Sequence, residues 1–124
     1  MAKITSHKDL RVYQRSFDLG MRVFEITKQF PNDEKYSLSD QVRRSARSVS
    51  GNIAEAWRKR RYPKSFVAKL TDSEGEAAET QVWLDYALAC GYLDEETHSS
   101  MVNEYDQLLG MLVTMIINPD KWSL

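Results

Sequence analysis

Between Lys8 and Asn118 the apolar residues recur at spacings of three and four, and no stretch alternates apolar with polar as a half-buried strand does. An α-helix turns once every 3.6 residues, so this spacing gathers apolar side chains along one side of a rod. From Lys8 to Gln29 one stripe reads Leu10, Tyr13, Phe17, Gly20 with Met21, Phe24 and Thr27. A second stripe, Val12, Leu19, Val23 and Ile26, runs beside it, so this helix has more than one apolar face. "FPNDEKYS" (Phe30 to Ser37) breaks the pattern: Pro31 and the polar cluster stop the first helix, and Ser37 is placed to cap the second.

The second helix presents Leu38, Val42, Ala46, Val49, Ile53 and Trp57. It ends at "RYPKS", because Pro63 cannot continue a hydrogen-bond ladder but suits the first turn of a new helix. The third shows Phe66, Leu70, Ser73, Ala77, Thr80, Leu84, Ala87 and Gly91 at four–three spacing. "CGYLD" then joins a glycine stop to Asp94 as the next N-cap. The fourth carries Met101, Tyr105, Leu108, Leu112 and Met115 and stops at Asn118-Pro119. The pattern thus predicts helices over about 8–29, 38–60, 64–90 and 95–118. Short connections favour antiparallel neighbours, so the expected fold is all-α, a single up-down-up-down four-helix bundle spanning residues 1–124.

The longest apolar run, "LLGMLVTMII", is about half of the roughly 20 residues a membrane helix needs. No secretory leader is evident at the start of the chain. Cys90 is the single cysteine, which excludes an intrachain disulfide and fits a reducing compartment. A soluble, cytoplasmic protein is expected.

The net charge of −1 conceals a segregation. Residues 43–64 carry eight basic groups and one acid, Glu55, whereas residues 65–124 carry two basic and eleven acidic groups. On a helical wheel Arg43, Arg47, Arg58 and Arg61 fall within about 60° of one another, centred about 105° from the apolar centre of the second helix. Gly51 and Ala54 keep the middle of that stripe low, and Arg44, Lys59, Arg60 and Lys64 widen it. Guanidinium forks pair with phosphate oxygens and stack on bases, so the stripe suits a polyanion. Two other uses stay open: ion pairs, Arg47 first, with the acidic stripe Asp72, Glu76 and Glu79 of the third helix, or a plain solvated face. Asn52 and Glu55 lie between the apolar and basic faces, where they are expected to bond across to a neighbouring helix.

Catalytic patterns are missing. Glu95 and His98 are spaced as Glu-x-x-His, but a di-iron site needs a second such pair, and the other histidine is His7. No nucleophile has a base at a spacing that would place it alongside, Cys90 is expected to pack near the end of the third helix, and no phosphate-binding glycine loop is present. Neither enzyme activity, metal nor cofactor is expected.

"DLRVYQRS", "FPNDEKYSLSDQVRRSARSVSGNIAEAWRKRR" and "ETQVWLDYALACGYL" resemble the four-helix-bundle proteins named for the 23S rRNA intervening sequence, over about residues 8–122. The most specific part is Phe30, Pro31, Glu34, Tyr36, Leu38, Gln41, Arg43 and Arg44, followed by Ser48, Val49, Asn52, Ile53, Ala54, Glu55 and Ala56. The resemblance implies a bundle encoded in some bacteria within inserts of the large ribosomal RNA gene, and elsewhere as a free-standing gene. It is similar in fold to the accessory protein of diversity-generating retroelements, a basic pentameric barrel that associates with nucleic acid and a reverse transcriptase. The resemblance therefore implies a homopentamer. This chain departs from many relatives in having Glu76 after the glycine of "SEGEAAET", which confines any nucleic-acid contact to the second helix.

Two functions are expected from these features. One is a non-catalytic homo-oligomer that binds nucleic acid, with structured RNA favoured, through Arg43, Arg44, Arg47, Arg58, Lys59, Arg60, Arg61 and Lys64. The other is a protein–protein adaptor or scaffold, whose charge asymmetry serves only assembly.

Overall fold

In the computed structural model, which describes residues 3–122, the chain forms α1 (Arg11–Thr27), α2 (Leu38–Arg58), α3 (Pro63–Ala89) and α4 (Glu95–Ile117). Short 3₁₀ turns at His7–Asp9, Asn32–Glu34 and Pro119–Trp122 flank them. The four–three series in α3 is buried from Phe66 to Ala87, and so is the α4 series from Met101 to Met115. Together with Val23, Val42, Val49 and Ile53 they form one continuous apolar core.

Side-chain contacts between helices give their directions. Ser16 meets Ser50 at 2.9 Å, while Arg43 reaches Thr27 at 2.7 Å, so α1 and α2 run opposite ways. Ser45 meets Thr80 and Ser73 donates to the Val49 carbonyl, both at 2.8 Å, so α3 reverses again. His98 contacts Asp85 and Gln81 reaches Asp106, which makes α4 antiparallel to α3. Arg22 pairs with Glu104 at 2.7 Å and Arg15 bonds Gln107, closing the square between α1 and α4. The result is an up-down-up-down bundle.

The wheel could not choose between the two apolar stripes of the first helix. The core takes Val12, Leu19 and Val23, whereas Phe17 and Met21 stay 51% and 46% exposed. The apolar girth of α4 is partly covered by the turn at Pro119–Trp122. Leu109, Met111, Ile116 and Trp122 are half-buried against the core, and the turn carrying Trp122 packs on α3 and α4.

Helix boundaries shift where local hydrogen bonds outweigh periodicity. The start expected at about residue 8 is a separate turn: Asp9 accepts from the Thr5 and Ser6 N–H groups, and Leu10 is extended before α1 begins. The end expected near Arg60 comes at Arg58, because Lys59 N–H closes early onto the Ala56 carbonyl. At the end of α3, Gly91 takes φ +79°, a left-handed value that glycine adopts without a Cβ penalty. Tyr92 N–H then bonds the Ala87 carbonyl and Gly91 N–H the Leu88 carbonyl, satisfying orphan acceptors. Asp94 caps α4 through the Thr97 N–H at 2.7 Å. Cys90, expected to pack, is exposed at the cap.

Ser37 stands at the start of α2 but does not cap it with its side chain. Glu34 takes over: its carboxylate accepts the Ser37 hydroxyl, the Leu38 N–H at 3.3 Å and the Tyr92 hydroxyl at 2.9 Å. These bonds, Ser37's first, hold the Glu34 pKa below its ordinary 4.5, and the same contact pushes Tyr92 up to about 12. A depressed carboxylate pKa stabilises the fold above the unfolded value, and that contribution disappears as pH falls through the folded one. Glu34→Gln is therefore expected to melt lower than wild type at neutral pH, with the gap closing in acid. Thermal melts across pH check this; a gap that stays constant into acid contradicts it.

Candidate nucleic-acid interface

The eight cations expected to form one stripe separate into two groups. Arg43 is half-buried in the groove between α1 and α2, where its Nε donates to Thr27 Oγ1 and its guanidinium lies 5.0 Å from the Phe24 ring centre. On the wheel it stands about 80° from the apolar centre of its own helix, at the edge of the apolar face, and α1 packs on that side. Arg44 is exposed and paired with Asp40 one turn earlier, at 3.1 Å. Arg47 lines an apolar groove with Tyr13, Phe17, Gly20, Met21 and Phe24.

The second group sits at the corner joining α2 to α3. Arg58, Lys59, Arg61 and Lys64 are exposed and form no ion pair among the described residues. Two successive turns, Lys59 N–H to Ala56 O and Tyr62 N–H to Lys59 O, both 2.9 Å, hold the corner in shape. Pro63 at the first position of α3 keeps Tyr62 extended, at φ −120° and ψ 90°. Arg60 folds back: its guanidinium stacks 3.4 Å from the Trp57 ring centre and its Nε donates to the Trp57 carbonyl. Burial, then the charge of Arg58, pulls Arg60 below the ordinary arginine pKa.

Antiparallel topology adds what the linear sequence hides. The first turn, His7–Asp9, contacts α2, so Lys8 is brought to the same end of the bundle as the corner. The opposite end gathers Asp33, Glu34, Asp94, Glu95 and Glu96 near the α1–α2 and α3–α4 connections. The molecule is thus electrostatically bipolar along its axis. Tyr62 stands exposed at this corner, within "RYPKS", a stretch that reads first as a helix break.

No ion pair joins an arginine of α2 to the acidic stripe of α3 among the described residues. Asp72, Glu76 and Glu79 instead line a polar groove with Ser48, Asn52 and Thr71. Desolvation, then Glu79 and Asp72, raises the Glu76 pKa, as expected where carboxylates face one another. Glu55 reaches across to Lys69 of α3 at 2.8 Å, and that bond lowers its pKa. Asn52 is half-buried in the groove and its amide makes no hydrogen bond among the described residues. His98 is engaged by Asp85 at 2.7 Å, while Glu95 is exposed in the first turn of α4. No helix among the described residues is long and apolar enough to cross a membrane.

Geometry and charge together define a four-helix bundle with a basic corner at one end. The chain belongs to the 23S rRNA-intervening sequence protein family, whose model matches residues 8–114. A solved structure from Bacteroides thetaiotaomicron, described as a protein of unknown function from the S23 ribosomal protein family, is similar at 28% identity and a TM-score of 0.77. The match covers 85% of this chain and 94% of that one. No curated protein matches the sequence.

Proposed function

We propose that this protein is a non-catalytic, cytoplasmic homo-oligomer that binds nucleic acid, structured RNA in particular, through the α2–α3 corner. The observation that carries the proposal is the set of exposed cations at Arg58, Lys59, Arg61 and Lys64, none of which forms an ion pair among the described residues, although Lys59 lies in the field of Glu55. Free guanidinium and ammonium groups bind phosphate oxygens by direct hydrogen bonds and by releasing condensed counterions. Lys8 extends this surface, whereas Arg43 and Arg44 are already engaged and contribute position and field more than contact. Arg47 sits in the α1–α2 groove and belongs to self-association.

Self-association has its own support. Phe17 and Met21 are too exposed for an ordinary monomer surface, and they flank a cation, Arg47. The α2–α3 groove offers the complement: Glu76 and Glu79 along a helix that continues to exposed Val82 and Tyr86. Two different faces that fit each other make a head-to-tail contact, and a closed contact of that kind gives a ring. Five subunits is the number that the family resemblance implies. The two roles coexist because they use different faces. A mobility-shift titration of a structured RNA tests the binding role: a saturable complex is expected, and no shift at micromolar protein favours the adaptor reading.

A further inference from the structure

We infer that Tyr62 is a stacking platform for an unpaired RNA base, so that the corner takes single-stranded segments, loops or bulges, in preference to duplex. The inference rests on the reading of the corner as a nucleic-acid surface. Its side chain, its backbone and its flanking charges carry it.

Tyr62 is 62% exposed, and neither its ring nor its hydroxyl has a partner among the described residues. Its backbone, in contrast, is held from both sides. The N–H donates to the Lys59 carbonyl, the carbonyl accepts from Phe66 N–H at 2.9 Å, and Pro63 restricts the conformation. A large aromatic surface is thus presented to solvent from a fixed anchor, so little ordering remains to oppose binding.

The sequence flanking it is one-signed. Arg58, Lys59, Arg60 and Arg61 precede Tyr62 and Lys64 follows, and the sequence from Ala56 to Ala68 contains no acid. The other strongly exposed tyrosines lack this setting. Tyr36 follows Asp33 and Glu34 and has Lys35 already over its ring at 5.4 Å, whereas Tyr86 follows Asp85 and packs on Trp83. A phosphate chain drawn to the corner passes Tyr62 but is repelled from the neighbourhoods of the other two.

The pairing of cations with an open ring selects among nucleic acids. In a duplex the base faces are covered by neighbours, so only phosphates reach the corner. An unpaired base has a free face that stacks on an aromatic ring while its phosphates meet the flanking cations. Arg60, stacked on Trp57, backs the site and adds charge without covering Tyr62.

Fluorescence anisotropy decides this with a short unstructured RNA oligomer and the same RNA annealed to its complement, at one salt concentration. Tyr62→Ala is expected to weaken binding of the unpaired oligomer by roughly 5- to 150-fold and to leave duplex affinity unchanged. Tyr62→Phe keeps the ring and is expected to match wild type, and Tyr36→Ala controls for an exposed tyrosine elsewhere. The side chain makes no cap bond to α3, so Tyr62→Ala keeps the helix intact, which circular dichroism verifies. Equal losses on both probes, or none on either, overturn the stacking role while the basic corner stands. If wild type binds neither probe, the corner reading fails and the stacking role fails with it.

Discussion

Arg58→Glu with Arg61→Glu is expected to abolish RNA binding while the bundle melts as wild type does. Both side chains are exposed and carry no hydrogen bond or ion pair among the described residues, so their replacement leaves no buried group without a partner. Surface changes of this kind usually shift stability by no more than about 0.5 kcal/mol. Each charge-assisted contact to phosphate is worth about 1.5–3 kcal/mol, and two are lost together. Two carboxylates then stand where the backbone must pass. A loss of roughly 100-fold or more follows, read by anisotropy with labelled RNA. Arg43→Glu gives the opposite pattern. It breaks the bond to Thr27 and sets a carboxylate against the Phe24 ring, destabilising the bundle by about 1–3 kcal/mol with a smaller change in RNA affinity. If Arg43→Glu removed binding and the corner variant did not, the stripe rather than the corner would be the interface.

Phe17→Glu with Met21→Glu is expected to convert the protein to a monomer. Soluble monomers rarely leave contiguous apolar patches beyond a few hundred Å² uncovered. Phe17 and Met21 stand together with Tyr13 and Phe24 on one groove, while the buried residues of α1 are Val12, Ser16, Leu19, Val23 and Thr27. In the proposed ring, two carboxylates there would face Glu76 and Glu79 of the neighbour, removing apolar contact and adding repulsion. Folding is spared, because neither side chain is in the core cluster. Light scattering coupled to size exclusion reads the result: wild type elutes as a multiple of 14.4 kDa, with five chains expected, and the variant as one chain. A wild type already at 14.4 kDa contradicts the assembly.

The helices were legible in the sequence because burial enforces a 3.6-residue period wherever a helix meets the core. The series from Phe66 to Ala87 and from Met101 to Met115 reads directly onto buried positions. Where a helix has two apolar stripes, periodicity has no means of ranking them, and the first helix left Phe17 and Met21 outside. Caps were legible only when the capping residue acts alone. Asp94 does, whereas Ser37 lost its role to Glu34, whose bond to Tyr92 joins residues 58 positions apart. The arginine stripe was half legible. A wheel compares residues with their own helix, so it cannot see that α1 covers Arg43 or that α2 ends before Arg60 and Arg61. Tyr62 and Lys8 needed the topology, because a corner and a chain start become neighbours only after the bundle forms.

The salt dependence of RNA binding by the wild-type protein tests the corner interface most directly. Single-stranded RNA loses affinity with a log–log slope of about −0.7 for each phosphate neutralised, so the four free cations Arg58, Lys59, Arg61 and Lys64 give an expected slope of about −3. Anisotropy titrations across a salt series measure it. A slope near that value supports phosphate contact at this corner, and binding that is absent at low salt, or that is insensitive to salt, contradicts it.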